Sequence, residues 1–213
     1  MAIRIRQHVN PLESKFQQPI PIPVWQEVYA RSDRPMHLDI GCARGKFLLE
    51  MAQLNPETNF LGIEIRKQLV EFANRAKDEL GLTNLHYLFG NINSSASTLL
   101  SSLPENSLRT VSVQFPDPWF KKKHHKRRVI QPELVTVLVD YLATEGQIFL
   151  QSDIEEVAVE MRDRFANNPQ LTQQHSTTWL DKNPLPVPTE RELYVLEQNL
   201  PVYRVLLEKI DRD

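Results

Sequence analysis

From Met36 onward, short apolar runs alternate with longer stretches in which apolar residues return every three or four positions. The runs read as strands and the periodic stretches as helices. Strands are expected at Met36 to Ile40, Asn59 to Ile63, Leu85 to Phe89, Thr110 to Phe115 and Gly146 to Gln151. Helices are expected at Lys46 to Leu54, Lys67 to Leu80, Ser95 to Leu103, Pro132 to Leu142 and Ile154 to Phe165, after a short lead-in from Val24 to about Arg31. Strand–helix units of this length predict an α/β fold, with a mostly parallel sheet covered by helices on both faces. The tail breaks the alternation. Leu171 to Thr177 and Val202 to Ile210 read as strands, the last entering antiparallel at an edge.

Ahead of these units, Pro11, Pro19, Pro21 and Pro23 forbid a helix. Residues 1–23 therefore read as an irregular, mildly basic arm carrying Arg4, Arg6 and Lys15, and 24–213 as one domain. At 213 residues, 41% of them hydrophobic, the chain is long enough to bury a core without staples. One cysteine, Cys42, excludes an intrachain disulfide and fits a reducing cytoplasm. No signal-peptide core and no membrane-spanning run is present, so a cytoplasmic protein without membrane contact is expected. Oligomeric state, monomer or homodimer, stays open.

In open parallel sheets, ligands bind beyond the carboxyl ends of the strands, where strand order reverses. The first strand runs through Asp39 into Gly41-Cys42-Ala43-Arg44-Gly45, where Gly41 and Gly45 allow a sharp turn and a close approach. The second ends at Glu64, suited to a ribose diol, and the third runs into Asn91, whose amide can read an adenine edge. Together they describe an adenosine pocket. A pyrophosphate would want more glycines in the loop and would meet Asp39 with like charge, whereas an aminoacyl ammonium would be held by it. The pattern favours S-adenosylmethionine over a nicotinamide cofactor. A glycine loop alone would be only a tight turn; the matching strand ends give it meaning. Cys42 reads as a small loop residue, since no base stands near it in sequence to activate a nucleophile.

The fourth strand leads into Phe115-Pro116-Asp117-Pro118-Trp119-Phe120, followed by Lys121-Lys122-Lys123-His124-His125-Lys126-Arg127-Arg128. Two prolines stiffen the approach of Asp117. The formal net charge is -2, so the cationic run is a local feature and not general basicity. A solvated loop is the ordinary fate of such a run. Set beside a pinned acid at the ligand edge, it instead points to phosphates, and so to an enzyme acting on nucleic acid. His124 and His125 lie in a field of positive charge that repels a cation, so no metal is expected.

Asp39-Ile40-Gly41 with Gly45, Gly62-Ile63-Glu64, and Phe115-Pro116-Asp117-Pro118-Trp119 with Lys121 and Lys126-Arg127-Arg128 resemble the bacterial tRNA (guanine-N(7)-)-methyltransferases. The resemblance continues through Ser152-Asp153 and Pro188-Thr189-Glu190-Arg191-Glu192, nearly the whole chain. It implies a Rossmann-like class I methyltransferase fold, S-adenosylmethionine as methyl donor and tRNA as substrate. The implied reaction is methylation of N(7) of guanosine 46 in the variable loop. It makes Asp39, Gly41, Gly45, Glu64, Asn91 and Asp117 the cofactor side, with Asp117 also the catalytic position. Lys121, Asp153, Thr189, Glu190, Arg191 and Glu192 become the substrate side. Asn91 stands where the family favours aspartate, Arg191 where it favours an aromatic, and Ala43 where it has glycine.

N(7) of neutral guanine carries a lone pair and no proton, so its methylation needs no general base. Asp117 is expected to stabilise charge and Asp153 or Glu192 to accept from the guanine N(1)–H and amino group. Asp153 is also a candidate N-cap for the following helix. The rival readings are an amino-methyltransferase on adenine or cytosine, a non-catalytic tRNA-binding module on the same fold and, more distantly, a nicotinamide dehydrogenase.

Overall fold

The computed structural model describes residues 9–211. Seven strands form one sheet in the order β3-β2-β1-β4-β5-β7-β6. These are β1 (Met36–Ile40), β2 (Asn59–Glu64), β3 (Leu85–Phe89), β4 (Leu108–Gln114), β5 (Gln147–Ser152), β6 (Leu171–Gln173) and β7 (Tyr203–Lys209). Every pairing from β3 through β5 is parallel, and β7 lies antiparallel to both β5 and β6. The antiparallel edge is thus built by β7, with the three-residue β6 outside it.

Every residue of β1 and β2 is buried, as expected of strands covered on both faces. Phe60 and Leu61, neighbours on β2, belong to different hydrophobic clusters, which places one core on each face of the sheet. Helices α2 (Lys46–Leu54) and α3 (Lys67–Glu79) supply Phe47, Leu48 and Val70 to one core. Helices α4 (Ala96–Ser101), α5 (Pro132–Tyr141) and α6 (Glu155–Ala166) supply Leu99, Leu138 and Phe165 to the other. No helix among the described residues is long and apolar enough to cross a membrane.

Several elements differ from the sequence reading. The lead-in helix is one turn, α1 (Trp25–Val28), because the chain dives at Tyr29 to bury its ring and donate its hydroxyl to the Phe60 carbonyl at 3.0 Å. β4 begins at Leu108, two residues early, where it meets Met36 across a register shift. β6 stops at Gln173 because the Gln173 side-chain amide donates to the carbonyls of His175 and Thr177 and closes a turn. A helix not foreseen, α7 (Glu190–Glu197), occupies the stretch after Pro188, to which the sequence reading assigns no element.

Of the arm, residues 1–8 lie outside the described part, with Arg4 and Arg6. From residue 9 the arm is irregular but for one 3-10 turn, Ser14–Phe16, and it packs on the body. Phe16 and Ile20 are buried, and the Ile20 N–H donates to Ser95 Oγ at 2.8 Å.

Candidate active site

Strand order reverses between β1 and β4, and two adjoining cavities open at the carboxyl ends there. One, of about 420 Å³, is lined by Glu64, Asn91 and arm residues Pro11 and Leu12. The other, of about 560 Å³, is lined by Asp39, Asp153, Thr189, Glu190 and Arg191. Gly41, Arg66, Gln114 and the segment Phe115 to Asp117 line both. Asp117 therefore stands on the border between the two spaces.

The loop that puts it there is strained. Phe115 (φ 50°) and Trp119 (φ 44°) are both left-handed, a conformation bulky residues rarely hold. Such residues cost about 1–3 kcal/mol each and persist only where their surroundings over-determine them. Here the Phe115 N–H donates to the Gln151 carbonyl at 2.8 Å, and Arg128 Nε donates to the Pro118 carbonyl at 2.8 Å. The Trp119 ring packs edge-on against His124, and the Arg127 guanidinium lies 4.9 Å from its centroid.

On the donor side, Asp39 is buried. Its Oδ1 accepts from Ser112 Oγ at 2.6 Å and from Gln114 Nε2 at 3.3 Å. Burial pushes its carboxyl up to about 6, against the pull of those two bonds. His37 lies 2.8 Å behind Ser112, and burial pushes it down to about 3. Because the Ser112 proton goes to Asp39, the neutral imidazole donates from Nε2. Glu64 accepts four bonds: from the Ala43 N–H at 3.1 Å, and from the Arg66 N–H, Nε and Nη2, each at 2.9 Å. That fills a carboxylate's lone-pair sites. Of the four donors, only the two guanidinium N–H groups can move aside.

Gly41 holds φ 86° with open space where a Cβ would stand, a cradle for an approaching ligand. Gly45 caps α2 at φ 75°, and a Cβ there would sit 2.6 Å from the Tyr87 ring. It shapes the loop from beneath and lines neither cavity. Asn91 Oδ1 caps the short turn Ile92–Ser94 by accepting from the Asn93 N–H, and its amide donates to the Pro11 carbonyl at 3.3 Å. A buried acid at β1, an acid at β2, an amide at β3 and an open glycine cradle fit S-adenosylmethionine.

The substrate side needs three corrections. Asp153 does not cap α6; the Ile154 N–H is taken by Ser152 Oγ at 3.1 Å, and the Asp153 carboxylate pairs with Arg191. Glu192 does not face the cavity. It is 2% exposed, accepting from Arg204 at 2.7 Å and from Gln151 and Asn183, so it fastens α7 to the sheet. Arg128 is 5% exposed and ion-paired to Glu156 and Glu160 on α6, which makes it the anchor of the cationic loop and removes it from the phosphate-facing set. Thr189 caps α7, accepting from the Glu192 N–H at 3.1 Å, and Glu190 pairs with Lys46 at 2.5 Å. Lys121 is exposed just ahead of a 3-10 helix, Lys122–Arg127, and lines neither cavity. His125, Glu156 and Glu160 come close enough to share a cation, but Arg128 pairs with both acids and Arg164 with Glu160 at 2.6 Å. Residues missed from the sequence are Ser112, Gln114 and Arg66, none of which belongs to a motif.

This sheet order with its crevice defines a class I methyltransferase. Solved structures share the fold. Geranyl diphosphate C-methyltransferase from Streptomyces coelicolor matches with a TM-score of 0.55 at 12% identity, over 88% of this chain and 75% of that one. Precorrin-6y C5,15-methyltransferase from Geobacter metallireducens matches at 0.53 and 14%, over 87% and 86%. Residues 33–205 match the family model described as "Putative methyltransferase". Full-length relatives go further. The tRNA (guanine-N(7)-)-methyltransferase of Microcystis aeruginosa is 56% identical over 204 residues, 96% of this chain and 97% of its own. That of Synechocystis is 56% identical over 207 residues, 97% of this chain and 98% of its own. The chain belongs to the tRNA (guanine-N(7)-)-methyltransferase family.

Proposed function

We propose that this chain moves a methyl group from S-adenosylmethionine to N(7) of a tRNA guanosine, at position 46 of the variable loop. The observation that carries the reading is Asp117, held by a strained loop on the border of both cavities with the cationic helix just beyond it. We also propose that residues 1–23 act as an arm, that 24–213 is a single catalytic domain, and that the enzyme works in the cytoplasm.

When bound, S-adenosylmethionine supplies an electrophilic methyl on a sulfonium. Asp39 holds the donor's ammonium. Glu64 accepts the ribose hydroxyls in place of the Arg66 guanidinium, and Asn91 meets the adenine. Asp117 fixes both partners so that N(7) and the methyl align, an effect that supplies about 7–11 kcal/mol in well-oriented reactions. Positive charge passes to the guanine as the bond forms, and the Asp117 carboxylate is set in advance to stabilise it there. It takes no proton. Asp153, steadied by Arg191, accepts from the guanine N(1)–H and amino group, a donor pair that adenine lacks. Thr189, Glu190 and Arg191 form the rim against which the base is held. Lys121, Lys122, Lys123 and Lys126 bind phosphates while the base, normally tied into tRNA tertiary structure, is drawn out.

The test incubates labelled S-adenosylmethionine with unmodified tRNA, then cleaves the strand chemically at N(7)-methylguanosine. Cleavage at the variable loop is expected, with turnover lost in Asp117→Ala. Label in the RNA without cleavage would instead identify an amino-methyltransferase. No label, with tRNA still bound, would identify a binding module.

A further inference from the structure

From the wall of the larger cavity a polar chain, buried beyond Gln114, runs across the sheet and plays no part in the methyl transfer itself. Gln114 on β4, Gln151 on β5 and Arg204 on β7 are cross-strand neighbours in register, so their side chains share one face of the sheet. Gln114 Nε2 donates to Asp39 Oδ1 at 3.3 Å, and Gln151 Nε2 donates to Gln114 Oε1 at 2.8 Å and to Glu192 Oε2 at 3.1 Å. Arg204 Nε donates to Gln151 Oε1 at 3.2 Å and Arg204 Nη2 to Glu192 Oε1 at 2.7 Å. The direction of this chain is forced from both ends. Arginine only donates, so Gln151 must accept with its oxygen and donate with its nitrogen. The Gln114 oxygen is then taken, and its nitrogen is left to meet Asp39, a pure acceptor when ionised. No amide can be flipped without setting like against like.

The ends of the chain are informative. Asp39 is the group that receives the donor's ammonium. Glu192 sits in the first turn of α7, where its N–H meets Thr189, so fixing it fixes Thr189, Glu190 and Arg191 on the rim. We propose that Gln114 and Gln151 are positioning residues that couple donor binding at Asp39 to the placement of the tRNA-binding rim of α7. The coupling rests on the proposed assignment of the donor to Asp39 and of tRNA to the α7 rim. The donor's ammonium draws the Asp39 carboxylate into one position, and Gln114, Gln151 and Glu192, each bonded to the next, are set in turn. Bound donor therefore raises affinity for tRNA, and bound tRNA raises affinity for the donor by the same factor.

Titration calorimetry with S-adenosylhomocysteine, with and without saturating unmodified tRNA, measures that factor in the full chain. The wild type is expected to show mutual tightening of about fivefold or more. Gln151→Met touches neither cavity and should leave S-adenosylhomocysteine affinity in the absence of tRNA within about twofold, while the factor falls toward 1. Gln114→Met breaks a different link and should do the same to the factor. The double variant should lose no more than either single one, as members of one series must. Asn183→Ala removes a bond to Glu192 at 2.7 Å that lies off the path, and should lower the melting temperature but keep the factor. A wild-type factor of 1, a factor that survives in both methionine variants, or one abolished equally by Asn183→Ala would overturn the proposal. Formation of N(7)-methylguanosine by the wild type is scored separately, so loss of the coupling and failure of the assigned reaction are told apart.

Discussion

Asp39 gives the sharpest quantitative test, because one burial effect fixes two opposite outcomes. Its carboxyl is pushed from 3.8 up to about 6 by burial, with Ser112 and Gln114 pulling the other way. A group titrating near 6 is about nine-tenths ionised at pH 7 and about one-tenth at pH 5, so binding that needs the anion weakens about tenfold, or about 1.4 kcal/mol. Calorimetry of S-adenosylhomocysteine across pH 5 to 8 should show that loss, and Asp39→Asn should bind weakly with no such slope. Stability moves the other way. The folded chain holds this proton more tightly than the unfolded chain, so Asp39 favours folding fully below 3.8 and loses that contribution as pH rises to about 6. The lost contribution is at most about 3 kcal/mol. Ligand-free Asp39→Asn should therefore melt higher than wild type at pH 7, since the amide oxygen still accepts from Ser112. A wild-type affinity flat across this range, or an asparagine variant that keeps the slope, would refute the assignment of the ammonium to Asp39.

Arg128→Ala removes the buried anchor shared by Glu156, Glu160 and the Pro118 carbonyl, and should cost about 3 kcal/mol in chemical denaturation while also weakening tRNA binding. Lys122→Ala and Lys123→Ala, both exposed, should leave melting unchanged but lower the slope of log affinity against log salt by about 0.7–0.9 for each phosphate no longer neutralised. Ala43→Gly relieves a left-handed alanine (φ 50°) and should raise stability by about 1 kcal/mol, seen as a melting shift of about 2–4 °C.

The sheet was legible in the sequence because its strands read as short runs rich in apolar residues between the longer periodic stretches. The acids that interrupt them, Asp39 and Glu64, were conspicuous for the same reason, and each sits at the cavities. Helix α7 was not legible from periodicity, since its start, Glu190-Arg191-Glu192, reads as a charged loop. Its one signal was the capping pair Thr189 and Glu192 after Pro188. That same position misled the functional reading. A glutamate in a charged stretch looks exposed, and only the strand register that brings Arg204 beneath it shows why it is not. Gln114 and Gln151 are 37 residues apart, and Gln151 and Arg204 are 53 apart, so no local pattern joins them.

The division of charge follows from what the reaction must manage. The donor arrives as a cation and the methylated guanine leaves as one, so the cavities need acids. The polynucleotide is a polyanion, so the outer surface needs bases. A chain with a net charge of -2 meets both needs only by separating them in space. Lysines cluster on the exposed helix beyond Trp119, while Asp39, Glu64, Asp117, Asp153 and Glu190 line the cavities. Unpaired, those carboxylates would repel one another and the approaching phosphates. Three are instead matched by a neighbour: Glu64 by Arg66, Asp153 by Arg191 and Glu190 by Lys46. Asp117 shares the field of the same Arg66 guanidinium. Asp39 is matched by none of these cations, and burial raises its affinity for a proton instead. Of the five, Asp39 is therefore the one that the proposed assignment gives to the ligand group bringing its own positive charge. On the same assignment the paired acids meet neutral hydroxyls and base edges, and at Glu64 those hydroxyls take the place of the Arg66 guanidinium.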